Sequence, residues 1–126
     1  MEMSAEKLVQ LIAQRVYDRK GFNIMAIDVR EVSSITDFLL IAEGNIERHV
    51  VAISEDIQDC MREIGEKPFR VEGRENGDWL VLDYLNIMIH LFIPEMREKY
   101  QLEKLWSNGK IVDLHIETDK SKSNAI

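Results

Sequence analysis

Along the chain the spacing of apolar residues alternates between helical and strand periods, and each change marks an element. After Ser4, a good N-cap, Leu8, Leu11, Ile12, Arg15 and Val16 recur at helical spacing until Gly21, which predicts an amphipathic helix. Asn23 to Val29 (NIMAIDV) and Asp37 to Glu43 (DFLLIAE) are rich in β-formers and read as strands, joined antiparallel through the polar, turn-prone REVSSIT. Asn45 is placed to cap a second helix, with Glu47 in its first turn and Val50, Ile53, Ile57, Met61 and Ile64 as its apolar stripe, ended by Gly65. Three further strands follow: Pro68 to Glu72, Trp79 to Tyr84, and Ile87 to Phe92. The last two are separated by Leu85-Asn86, and leucine is a poor residue for the positive φ that tight hairpin turns demand, so either that turn is strained or the loop is longer than two residues. Pro94 opens one or two short helices to Trp106, and Gly109 marks a break. Beyond it KIVDLHIE alternates weakly, suited to an edge strand or to docking on a partner, and TDKSKSNAI is a polar tail expected to be disordered.

The order α-β-β-α-β-β-β-α predicts an α/β single domain, α+β-like, with a mixed sheet and helices packed on it, and a right-handed crossover through the second helix. Residues 1–107 form the expected domain and 108–126 a C-terminal extension, partly disordered. The chain's 126 residues fit one core, which at this length needs neither disulfides nor a structural metal. Sixteen Lys and Arg against twenty-three Asp and Glu give a net charge of −7, a field that repels a phosphate backbone. Arg30, Arg48, Arg62, Arg70, Arg74 and Arg97 are scattered among carboxylates, so direct nucleic-acid recognition is not expected and a protein partner fits better. A lone cysteine, Cys60, and an N-terminus without a signal stretch point to the cytoplasm, and no apolar run approaches the ~20 residues of a membrane helix.

Catalytic chemistry finds little footing. His49, His90, His115 and Cys60 lack metal-ligand spacing, and Ser33, Ser34 and Ser54 sit in no nucleophile motif. Gly44 and Asn45 stand at a strand-to-helix turn where an anion could bind, but Glu47 in the same turn would repel it. No catalytic residue, metal site or cofactor is assigned.

A sharper pattern lies between Glu72 and Trp106. By strand alternation Trp79, Val81 and Asp83 share one face, as do Met88, His90 and Phe92, while Leu80, Leu82, Tyr84, Ile87, Ile89 and Leu91 take the other. The aliphatic set belongs to the core, so Trp79, Asp83 and His90 are expected together on the opposite face. Two readings stand side by side: a recognition surface, or a second core layer under the C-terminal helix with Asp83 and His90 satisfying each other.

The string DFLLIAEGN, then FRVEG, WLVLDYLNIMIHLF and MREKYQLEKLW, resembles in order and spacing the ribosomal silencing factor family, also called RsfS or Iojap, over Ala5 to Trp106. Its most specific parts are Val71-Glu72-Gly73 with Trp79, then Asp83-Tyr84, His90 and Phe92, and finally Arg97, Tyr100, Leu102-Glu103 and Leu105-Trp106. The chain departs from the family at Asn45, Ile46, Arg48-His49 and Leu85-Asn86. The resemblance implies a nucleotidyltransferase-like fold without enzymatic activity. It further implies a translation repressor, homodimeric when free, that binds ribosomal protein fourteen of the large ribosomal subunit and blocks joining of the small subunit when nutrients are scarce. Its partner-binding surface would be carried by Trp79, Asp83, Tyr84, His90 and Phe92, with Arg97 and Tyr100. The competing classes are a nucleotidyltransferase enzyme and a dimeric scaffold without a ribosomal partner. The first lacks the Gly-Ser phosphate contact, since Asn45 replaces the serine, and lacks a paired-carboxylate strand.

Overall fold

The computed structural model describes residues 3–118. Helix α1 (Ala5–Asp18) is followed by strands β1 (Phe22–Asp28) and β2 (Phe38–Glu43), helix α2 (Glu47–Glu63), then β3 (Arg70–Glu72), β4 (Trp79–Asp83) and β5 (Ile87–Phe92). Two short helices, α3 (Pro94–Tyr100) and α4 (Leu102–Leu105), precede a last strand, β6 (Lys110–Ile111). The six strands form one mixed sheet in the order β3-β4-β5-β2-β1-β6. Only β2 and β5 run parallel among its pairs, with Phe38 beside Ile87 and Glu43 beside Phe92. The parallel neighbour of β2 is thus β5, not the first strand after the helix. The chain crosses over through α2 to the far edge and returns inward as the antiparallel meander β3-β4-β5.

Helices α1 and α2 cover one face. Ile12, Val16, Ile53 and Ile57 meet Phe38, Leu40, Leu80, Leu82, Ile89 and Leu91 in the larger core. Ser4 caps α1 as its sequence requires, accepting from the Lys7 amide at 3.2 Å. Asn45 does not cap α2. The cap position falls on Ile46, and the Asn45 amide instead donates to His49 Nδ1 at 2.9 Å, while His49 Nε2 lies 2.7 Å from the Arg19 carbonyl. One imidazole therefore ties the start of α2 to the end of α1. Ile64, placed on the apolar stripe by its spacing, is the exposed C-cap instead. A second, smaller core lies on the other face, where Ile27, Leu39, Ile41 and Phe92 pack with Leu102, Met96 and Trp106 of the α3-α4 segment. Because both faces of β2 are covered, all six of its residues are buried, which is why its sequence is an unbroken apolar run.

Beyond Gly109 the chain joins its own sheet. Lys110–Ile111 pairs with β1, the Val112 amide donates to the Ala26 carbonyl at 2.9 Å, and Val112, Leu114 and Ile116 pack on the larger core. Gln14 and the Glu117 backbone exchange two hydrogen bonds at 2.8 and 3.0 Å. Of the polar tail, all but Thr118 lies outside the described residues.

The strain anticipated at Leu85 is present: its φ is +70°. Asn86 N–H donates to the Tyr84 carbonyl at 2.9 Å, closing a γ-turn of the positive-φ kind. Its surroundings hold it there, through Leu85 N–H to Asp83 Oδ1 at 2.8 Å and two amides, Asp37 and Phe38, on the Asn86 carbonyl. A left-handed conformation costs a non-glycine residue roughly 1–2 kcal/mol, part of which a glycine returns through its more mobile unfolded state. The Leu85 side chain is 59% exposed, so little packing is at stake. Leu85→Gly should therefore raise the unfolding free energy by up to about 1 kcal/mol in urea denaturation; a loss would mean the side chain packs more than its exposure allows.

Candidate functional site

The α3-α4 segment covers only part of the second face. Its position is set by Arg97, whose side chain is almost buried: Nη1 meets Glu43 Oε2 at 3.1 Å and the Asn23 carbonyl, and Nε meets Glu103 Oε2 at 3.0 Å. Asn23 Nδ2 donates to the same Glu43 oxygen at 2.9 Å. The helices are thereby fastened over β1, β2 and the end of β5. Across β4 and β3 the sheet stays open: Trp79, Val81 and Met88 are half-buried, and Arg70 and Glu72 are exposed.

At the boundary of cover and opening lies an aromatic cluster. Trp79 faces Phe92 across the β4-β5 ladder, and His90 is the diagonal neighbour, paired with Val81. Ring centroids of Trp79 lie 5.0 Å from Phe92, 6.0 Å from His90 and 4.7 Å from Tyr100 on α3. Phe92 is fully buried and Tyr100 is 44% exposed, so the indole bridges core and surface. Its entry into the strand is fixed locally. A Cβ on Gly73 would fall 2.0 Å from the Trp79 carbonyl oxygen, which with a φ of +83° demands glycine, and the Trp79 amide donates to Asp78 Oδ1 at 3.0 Å. Trp79 Nε1–H donates to His90 Nδ1 at 3.0 Å. That bond puts the imidazole proton on Nε2. Burial depresses the His90 pKa to about 4, so the ring is neutral at physiological pH.

Of the seven residues singled out from the sequence, the fold brings Trp79, His90, Phe92 and Tyr100 together. Asp83 shares their face but lies at the far end of β4, held by Leu85 N–H and Arg70. The mutual Asp83–His90 pairing does not occur; each has its own partner. Tyr84 follows the strand's last residue and lies on the opposite face, buried in the α1-α2 core, where burial pushes its phenol up to about 12. Arg97 commits its Nε and Nη1 to the α3 joint. Phe92 lies in the second core layer, Tyr100 is on the exposed rim, and Trp79 stands between them. Val81 and Met88, which alternation sets on the same face, form its apolar floor, and Arg70 is the partner of Asp83. The pairing of Arg70 with Asp83 could have been found only from the β3-β4 register.

Among the described residues no group of three or more His, Cys, Asp or Glu is placed to hold a metal ion. The open region is a shallow sheet face with an aromatic anchor, an apolar floor and polar edges, the anatomy of a protein-docking surface. The molecule is thus a small α/β domain built on one six-stranded mixed sheet. The family model described as ribosomal silencing factor during starvation matches residues 2–125, and the chain belongs to that family. A ribosomal silencing factor RsfS of Halalkalibacterium halodurans is 36% identical over 112 residues, covering 89% of this chain and 96% of the relative. One from Haemophilus influenzae is 36% identical over 100 residues, 79% of this chain and 98% of the relative. A solved structure from Chromobacterium violaceum superposes with a TM-score of 0.81 at 26% identity, over 95% of this chain and 99% of that one.

The buried imidazole has a measurable consequence. Its folded pKa, about 4, is below the ordinary 6.5, so on acidification the unfolded chain takes up the proton first. The His90 contribution to stability is complete above pH 6.5, is lost as pH falls toward 4, and amounts to roughly 3 kcal/mol. NMR titration of the folded protein should show His90 still neutral, with its proton on Nε2, at pH 5.5. A midpoint near 6.5 would contradict the buried geometry.

Proposed function

We propose that the chain silences the large ribosomal subunit: it docks its open sheet face on ribosomal protein fourteen and stands where the small subunit would join. The observation that carries this reading is the Trp79-His90-Tyr100 cluster, an aromatic anchor set by an internal hydrogen bond at the edge of an uncovered sheet face. Interfaces concentrate binding energy in such anchors. A net charge of −7 suits a basic ribosomal protein and speeds encounter with it, while opposing direct contact with phosphates. Family membership supports the ribosome as the target. On this reading the protein works in the cytoplasm by occupancy, without making or breaking bonds, chiefly under nutrient limitation. The family resemblance also supports a homodimer in the free state.

Sedimentation with isolated large subunits, small subunits and joined ribosomes tests the proposal. The protein should travel with free large subunits and reduce their joining; travel with small subunits alone, or binding without any effect on joining, would overturn it. Within that assay, Tyr100→Ala should weaken large-subunit binding about tenfold, a ~1.4 kcal/mol loss, with an almost unchanged melt because the ring is largely outside the core. Trp79→Ala should weaken it roughly thirtyfold or more, and the exposed Glu66→Ala should barely matter. Wild-type affinity in both aromatic variants would remove this face from the interface.

A further inference from the structure

Asp83 is 5% exposed, on the open half of the sheet. Oδ1 is occupied by Leu85 N–H at 2.8 Å, but Oδ2 has a single partner, Arg70 Nη2, at 3.4 Å. Charge-assisted N–H···O bonds normally close to about 2.7–2.9 Å, so this contact is long. Arg70 is divided: its Nε meets Glu72 Oε1 at 3.1 Å, and its side chain, on the sheet's edge strand, is 55% exposed. A nearly buried carboxylate therefore has one oxygen only loosely satisfied, by a half-exposed side chain that already has a second carboxylate. Met88 faces Asp83 across the ladder and Val81 lies two residues along the same strand face, both half-buried. They offer apolar floor for the methylene stem of a long cationic side chain whose head reaches Oδ2.

We propose that Asp83 is the receptor for one lysine or arginine side chain of a basic protein partner, and that Arg70 is a resident placeholder which that cation displaces. The inference rests on the reading of this face as the docking surface and adds its chemistry and its built-in competitor. In the free protein Arg70 partly neutralises a charge that would otherwise be stranded. On docking, Arg70 remains with Glu72 and the incoming cation takes Oδ2. A phosphate-bearing partner does not fit, because it would be set against Asp83 and Glu72 together. Removing Arg70 should therefore tighten the complex, the reverse of what losing a contact residue does.

Dissociation of the full chain from isolated large subunits, followed by biolayer interferometry, tests this. Arg70→Ala should slow dissociation about fivefold. Arg74→Ala removes the same charge from an arginine paired with Glu55 of α2, and should leave the dissociation rate unchanged, which separates local displacement from the general field. Asp83→Asn, which keeps an oxygen for Leu85 N–H, should speed dissociation about tenfold and abolish the gain from Arg70→Ala in the double variant. If Asp83→Asn does not fold, as read from its melt, the Arg70→Ala and Arg74→Ala comparison decides alone. Dissociation from Arg70→Ala as fast as or faster than wild type, an equal gain from Arg74→Ala, or a gain that persists with Asp83→Asn would each overturn the inference while leaving the docking reading intact. Wild-type protein that fails to bind large subunits would defeat that reading, and the inference with it.

Discussion

The joint between Arg97 and its two carboxylates decides how much of the second sheet face is covered. Glu43 ends the central strand β2, Arg97 lies in the first helix after β5, and Glu103 is on the next helix, so one guanidinium ties three elements at a single point. A buried ion pair of this kind contributes little net stability over an apolar substitute, but breaking one side leaves a charge stranded, which strongly specifies the arrangement. Fastened there, α3 and α4 seal Ile27, Leu39, Ile41 and Phe92 and stop short of β4 and β3. The open half-face lies on β4 and β3, to the side of the strands over which the cover is pinned.

Trp79 is where the two regimes meet. On its inner side it rests on Phe92, part of the core; on its outer side it meets Tyr100, part of the surface, in a tilted contact. Its indole proton is answered by His90 Nδ1, which burial keeps neutral and therefore able to accept. An aromatic ring held this way has little rotamer freedom left to lose on binding, which favours affinity through preorganisation. On the proposed docking face the loosely satisfied Asp83 at the far end of the same strand would supply charge, where the Trp79 cluster would supply area.

Much of this was legible in the sequence, for reasons that differ by element. The helices α1 and α2 announce themselves because each is covered on one side and alternates with the helical period. The unbroken run in β2 marks a strand enclosed on both faces, and Leu85 betrays its own strain because a leucine stands where positive φ is needed. The faces of β4 and β5 follow from alternation, so Trp79 and His90 are found together. Long-range facts were not legible. Nothing local to His49 says that it reaches Arg19, and nothing local to Arg97 distinguishes a surface arginine from one that closes over Glu43, fifty-four positions away. Asn45 has the chemistry of a cap, yet its amide is taken by His49 and the helix begins without it. Alternation sets Asp83 and His90 on one face, where they could satisfy each other, whereas the register puts Asp83 beside Arg70 and a diagonal hydrogen bond gives His90 to Trp79.

The central claim is that the uncovered half of the sheet, and not the helical face, meets the ribosomal partner. Amide and indole NMR spectra of the chain, recorded during titration with isolated ribosomal protein fourteen, test it most directly. The Trp79 indole Nε1–H should shift together with Val81, Met88 and Tyr100, while the exposed residues of α1 and α2 stay in place. Shifts confined to α1 and α2, with the Trp79 indole unmoved, would contradict it.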